Sequence, residues 1–128
     1  VPQTEVYFYQ DERGRVPVVE WLTELRQSDR RAYAKCVARI RRLAAAGHEL
    51  RRPEADFLRD GVYELRARQG HVNYRILYFF HGRNVAILVY ALTKEGEIAE
   101  ADIDRALRRK ATFEQDPERY TYEEENNG

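Results

Sequence analysis

The hydrophobic period of this 128-residue chain changes near residue 62, and that change limits its folds more than any other feature. Upstream, apolar side chains recur at helical spacing. Downstream, residues 62–68, 73–80 and 85–92 alternate with a period of two, which is the spacing of one strand face. Gln69-Gly70-His71-Val72 and His81-Gly82-Arg83-Asn84 join them, and short Gly-bearing joints of this kind make hairpins. The run 85–92 is apolar at every position, so it is expected to lie centrally with both faces covered.

Ahead of the switch, residues 5–9 are rich in β-formers and predict a first strand, ended by the turn-like Asp11-Glu12-Arg13-Gly14. Pro17 suits the first position of a helix, where its missing N–H costs nothing. Val18, Trp21, Leu22 and Leu25 then share one face of a helix over 18–26. A second helix is expected over 28–46, with Ser28 as its cap and Gly47 ending it in the left-handed conformation. Tyr33, Cys36, Val37, Ile40, Leu43 and Ala44 form its apolar stripe. Its opposite face carries Arg31, Lys35, Arg39 and Arg42, a pattern read first as a solvated helix face and second as a track for RNA phosphates or an acidic partner. Residues 48–61 read as a polar connector with Pro53 inside it and Asp60-Gly61 at its close. Residues 99–110 predict a short third helix on Ile103, Ala106 and Leu107.

The order β–α–α–β–β–β–α makes an α+β domain. Its sheet is expected to be twisted, mostly antiparallel and four-stranded, with two N-terminal helices on one face and a short C-terminal helix. Charge marks a boundary that the net value of +0 conceals. Residues 1–113 hold 21 Lys and Arg against 16 Asp and Glu, whereas 114–128 hold one Arg against six acids. A modestly basic domain over 1–113 therefore carries an acidic tail, 114–128, expected to add little to a core and to be partly mobile.

Several chemistries find no support. His48, His71 and His81 fall in loops or turns without ligand spacing, so neither a metal nor another cofactor is expected. No Gly-rich loop links a strand to a helix, and Ser28 is better spent as a cap than in a triad. Cys36 alone forms no internal disulfide, no apolar run is long enough for a bilayer and no charged-then-apolar stretch opens the chain. These traits point to the cytoplasm. What remains is basic and strand-borne. Glu64, Arg66 and Arg68 share one strand face, and Arg75 shares another with Asn73, Leu77 and Phe79. A hairpin closing around Gly70 brings Arg66 and Arg75 together. Arginine within so apolar a strand needs a carboxylate, with Glu64 as one candidate, or a cleft that receives an anion.

Asp60-Gly61-Val62-Tyr63-Glu64-Leu65-Arg66, followed by Asn73-Tyr74-Arg75-Ile76-Leu77-Tyr78-Phe79-Phe80, resembles the signature of the phage-derived HigB-like killer proteins of the RelE/ParE superfamily. Tyr7-Phe8, Pro17-Val18, Glu20-Trp21-Leu22, Leu43, Gly47 and Pro53 extend the likeness, which covers about residues 5–110. The resemblance implies a RelE-like fold. It also implies the toxin of a type II toxin–antitoxin pair, a metal-independent endoribonuclease cutting mRNA on the ribosome. In that chemistry a ribose 2′-hydroxyl attacks its own phosphate while cationic side chains stabilise the transition state. Arg66 and Arg75 take the catalytic positions. Lys94 matches the family's first lysine after the last strand and joins Arg68 of the basic strand face as an RNA-binding candidate. A cognate antitoxin, often of helix-turn-helix type, is the implied partner. The likeness ends after Lys94: Glu95 stands where the family places a second lysine, and Glu97 follows. The alternative is a RelE-like protein-interaction or RNA-binding module without nuclease activity.

Overall fold

A computed structural model describes residues 3–93 and 96–123. Strand β1 (Glu5–Tyr9) leads into helices α1 (Pro17–Ser28) and α2 (Arg30–Ala46). Strands β2 (Ala55–Arg59), β3 (Val62–Gln69), β4 (Val72–His81) and β5 (Val85–Thr93) follow, then helix α3 (Glu100–Gln115) and β6 (Thr121–Tyr122). No helix among the described residues is long and apolar enough to cross a membrane.

The strands form one open sheet in the order β2-β3-β4-β5-β1-β6. All neighbours are antiparallel except β1 and β5, which run parallel with Glu5 beside Val85. Strand alternation divides the core in two. Leu65, Ala67, Tyr74, Ile76 and Tyr78 face α1 and α2, meeting Val18, Leu22, Cys36 and Leu43. Val62, Leu77, Phe79, Ile87 and Val89 face the other way, where Ala106 and Phe113 of α3 cover them. Ala86 through Val89 are fully buried, as the uninterrupted apolar run predicts for a strand covered on both sides. The α3 side is the one that also carries Glu64, Arg66 and Arg75.

Several expectations need correction. The sheet has six strands, not four, because the connector and the tail each supply one. Asp60 and Gly61, with φ of 50° and 84°, form a two-residue turn of the mirror-image kind that joins β2 to β3. The cap of α2 is Asp29, whose Oδ1 accepts from the backbone N–H groups of Arg31 and Ala32; Ser28 is the last residue of α1. Gly47 does take a positive φ, 54°, and a Cβ there would lie 2.2 Å from the Thr4 hydroxyl oxygen. Helix α3 continues five residues past Lys110, to Gln115.

Beyond α3 the chain folds back. Tyr120 is buried, its ring stacked on Tyr9 with centroids 6.2 Å apart, and β6 pairs with β1 through Phe8 and Tyr9. Residues 114–123 thus contribute to the second core, at the edge of the sheet farthest from β3. Removal of the Tyr120 ring by Tyr120→Ala should cost about 3 kcal/mol, in the range for deleting a buried aromatic. Tyr122→Ala should cost far less, because Tyr122 is only half-buried. Urea denaturation of the two variants measures the difference.

Candidate functional site

Residues Arg66 on β3 and Arg75 on β4 lie directly opposite one another. The Arg66 N–H points away from β4 and donates to the Glu54 carbonyl at 2.8 Å. The facing pair is therefore of the non-hydrogen-bonded kind, whose side chains approach most closely. Two like charges so placed need a counterion. Glu64, two residues back on the same face, supplies it: its Oε1 lies 2.7 Å from Arg75 Nη1 and 3.4 Å from Arg66 Nε. Arg75 Nη2 also donates to the Gly96 carbonyl at 3.1 Å.

Glu64 is 3% exposed and Arg75 7%. Burial pushes the Glu64 carboxyl above its ordinary range, against the opposing pull of the two guanidinium groups. The Arg66 side chain is more open, at 31%. The sequence left Arg75 with two options, a carboxylate partner or an anion cleft. The structure shows the carboxylate partner, Glu64, and places Arg75 at the border of open space as well.

Two cavities flank the arginine pair. One, about 220 Å³, is bounded by Glu64, Asp56 and Glu97 together with Arg52, Arg66 and Arg75. Arg52 is bound at 2.7 Å to Asp56, whose carboxyl its hydrogen bond holds below the usual range. The other cavity, about 210 Å³, is bounded by Arg39, Arg66, Arg68 and Arg75, with Pro53, Ala67 and Asn73. Arg68 is exposed and sits opposite Asn73. Lys94 and Glu95 lie outside the described residues.

Asp56 and Arg52 escaped the sequence reading because the connector hid β2, although Asp60-Gly61 ahead of Val62 is a hairpin signal. The helical stripe divides: Arg39 and Arg42 bind Glu54 at 3.2 and 2.8 Å, while Arg31 and Lys35 are exposed. Cys36 is buried among apolar residues, its thiol pushed up to about 12, so it is no thiolate nucleophile at neutral pH. His48 stacks on Phe80 and His81 packs against Phe113. Among the described residues no group of three His, Cys, Asp or Glu is placed to hold a metal ion.

A family profile described as phage derived protein Gp49-like matches residues 22–111. That span runs from α1 into α3 and includes every residue bounding the two cavities. No curated protein matches the chain.

The Glu64–Arg75 pair sets a stability test. Glu64→Leu should cost about 3–5 kcal/mol, because it strands a buried guanidinium. The double variant Glu64→Leu/Arg75→Leu should cost clearly less than the two single changes added together. Urea denaturation of all four proteins supplies the coupling energy.

Proposed function

From the premise that this chain belongs to the Gp49-like phage-derived family, within the RelE/ParE-like toxin superfamily, we propose that it is a HigB-like toxin that cuts mRNA. Its fold is then a RelE-like one, and its protein partner a cognate antitoxin, probed first among helix-turn-helix proteins. The observation that carries the proposal is the pairing of Arg66 with Arg75 across a hairpin, at the boundary of two cavities. A phosphodiester set over that boundary meets two guanidinium groups, whose planar forks match the spacing of phosphate oxygens.

In the proposed reaction the ribose 2′-oxygen attacks the adjacent phosphorus and the bond from phosphorus to the 5′-oxygen breaks. A 2′,3′-cyclic phosphate and a 5′-hydroxyl result, the leaving 5′-oxygen taking its proton from water. Negative charge grows on the non-bridging oxygens, where Arg66 and Arg75 stabilise it most in the transition state. The 2′-hydroxyl proton needs an acceptor. Glu64 is suited to that task because burial raises its pKa and its carboxylate borders the cavity of about 220 Å³ beside both arginines. Asp56 is less basic, being held below its usual range by Arg52. Arg68 and Lys94 are assigned to RNA binding. With ribosomes as the site of cutting, the protein acts in the cytoplasm.

Expression of the chain without its antitoxin should arrest growth and leave cleaved mRNA. Arg66→Ala is the cleaner active-site variant, since Arg66 is partly exposed and Glu64 keeps Arg75. It should lower the cleavage rate about a hundredfold or more while the melting temperature stays near that of the wild type. A folded Arg66→Ala as toxic as the wild type refutes the assignment. A wild type that neither arrests growth nor cuts RNA with ribosomes present identifies the alternative, an interaction module built on the same fold.

The pH profile provides a further check. A proton acceptor must be deprotonated, so the rate should rise with pH through the Glu64 pKa. The raised pKa places that rise above the ordinary carboxylate value of 4.5. Glu64→Gln should abolish the rise, and an unchanged acid limb in a folded variant would reassign the proton to another group.

A further inference from the structure

Strand β2 is shorter than the strand it pairs with. Its ladder to β3 ends at Ala55 opposite Leu65, while β3 continues to Gln69. Beyond Leu65 the outer edge of β3 faces a gap, and the cavity bounded by arginines lies there. Arg39 reaches into the gap from α2. Its Nε donates to the Arg66 carbonyl at 2.8 Å, and its Nη1 lies 3.2 Å from Glu54, which fixes the guanidinium at the cavity wall. Arg68 extends from β3, and its Nε donates to the Gly70 carbonyl at 2.9 Å. By strand alternation the Arg68 N–H leaves β3 on the same side as that of Arg66, which Glu54 takes, and lies beyond the end of β2, where that strand offers it no pairing residue.

The two cavities differ in chemistry. Carboxylates of Asp56, Glu64 and Glu97 bound one, whereas four arginines and no carboxylate bound the other. Glu54 and Glu64 pair with Arg39, Arg66 and Arg75 from outside that cavity, two carboxylates against four guanidinium groups, so its wall keeps a positive excess to which Arg68 contributes most openly. Arg66 and Arg75 line both cavities, so a strand crossing them leads from one into the other.

We propose that the arginine-lined cavity is a backbone-phosphate subsite for single-stranded RNA, taking the phosphate next to the scissile one. This rests on the nuclease proposal above and adds the path of the substrate to it. RNA fits both cavities at once, offering ribose hydroxyls as donors to the carboxylate side and phosphate oxygens to the arginine side. An acidic peptide would offer carboxylates to both, and the first cavity would repel them.

The test uses the full chain and a fluorescent ten-nucleotide single-stranded RNA carrying 2′-fluoro groups, which cannot be cut at its own 2′-position. Binding is followed by anisotropy over a salt series. Arg68→Gln should weaken binding about tenfold at low salt and reduce the log–log salt slope by about 0.7, the value for one phosphate contact on a single strand. Arg39→Gln/Arg68→Gln should weaken it further, with thermal melting monitored because Arg39 also supports the Arg66 carbonyl. Arg68→Gln alone carries the test if the double variant unfolds. Arg13→Gln, which removes one charge in the turn before α1, should bind within twofold of the wild type.

Equal losses in Arg13→Gln and Arg68→Gln would reduce the effect to net charge and overturn the subsite. Unchanged binding by Arg68→Gln, together with loss of cleavage by Arg66→Ala, would overturn the subsite and leave the nuclease proposal standing. A wild type that binds no RNA would overturn both. A decaglutamate peptide that outcompetes the RNA, and loses its affinity in Arg68→Gln, would reassign the cavity to an acidic protein partner.

Discussion

The arrangement at the centre of this protein depends on one carboxylate. Arg66 and Arg75 face each other on neighbouring strands, a placement that like charges oppose. At an effective dielectric of about 20, two unit charges about 5 Å apart repel by about 3 kcal/mol. Glu64 Oε1 touches both guanidinium groups and converts the repulsion into a three-membered cluster. The surrounding structure is consistent with that need. Val62 and Leu77 pack beside the cluster and α3 covers the adjoining core. The Gly96 carbonyl takes a further donor of Arg75. A charge held this firmly reorganises little when an anion arrives, which is the physical basis of electrostatic catalysis.

Much of the fold was legible because local patterns and tertiary demands agreed. Both N-terminal helices and the three later strands, with the covered β5 among them, follow from period, turn residues and apolar continuity. The misses have specific causes. Strand β2 carries Asp56, Arg59 and an exposed Phe57, so it lacks the alternation that marks a half-buried strand. Only the Asp60-Gly61 turn betrayed it. Strand β6 is two residues long and owes its position to Tyr120 stacking on Tyr9, a contact between opposite ends of the chain. Ser28 lost the cap to Asp29 by one residue, since either side chain can serve and the helix phase decides.

The candidate site was legible in part, and for the same reason. The facing of Arg66 and Arg75, with Glu64 as counterion, needs only a hairpin and its register. The cavities on either side depend on long-range geometry instead. Arg39 comes from α2, Arg52 and Asp56 flank or occupy β2, and Glu97 follows β5. Composition could not assign these residues to either cavity. It could not show that Glu54 binds Arg39 and Arg42 and so withdraws half of the helical basic stripe from solvent. Asp116, Glu118 and Glu123, the acidic residues described beyond α3, also prove distant, since β6 is separated from β4 by β5 and β1.

The parallel pairing of β1 with β5 carries a consequence in time. Glu5 and Val85 are neighbours in the sheet, yet eighty residues of chain separate them. A ribosome extends the chain vectorially, and contacts of such sequence separation form only after both partners have emerged. The first strand must therefore wait, unpaired, while the helical hairpin and the β3–β4 hairpin are made. Those later elements can assemble locally, so the arginine cluster can arise before the sheet that supports it is closed. Nascent chains would then pass through an interval in which the cluster exists on an unfinished scaffold. A partner binding to β1 or to its place beside β5 during that interval would act on assembly itself, before any folded surface is available to it.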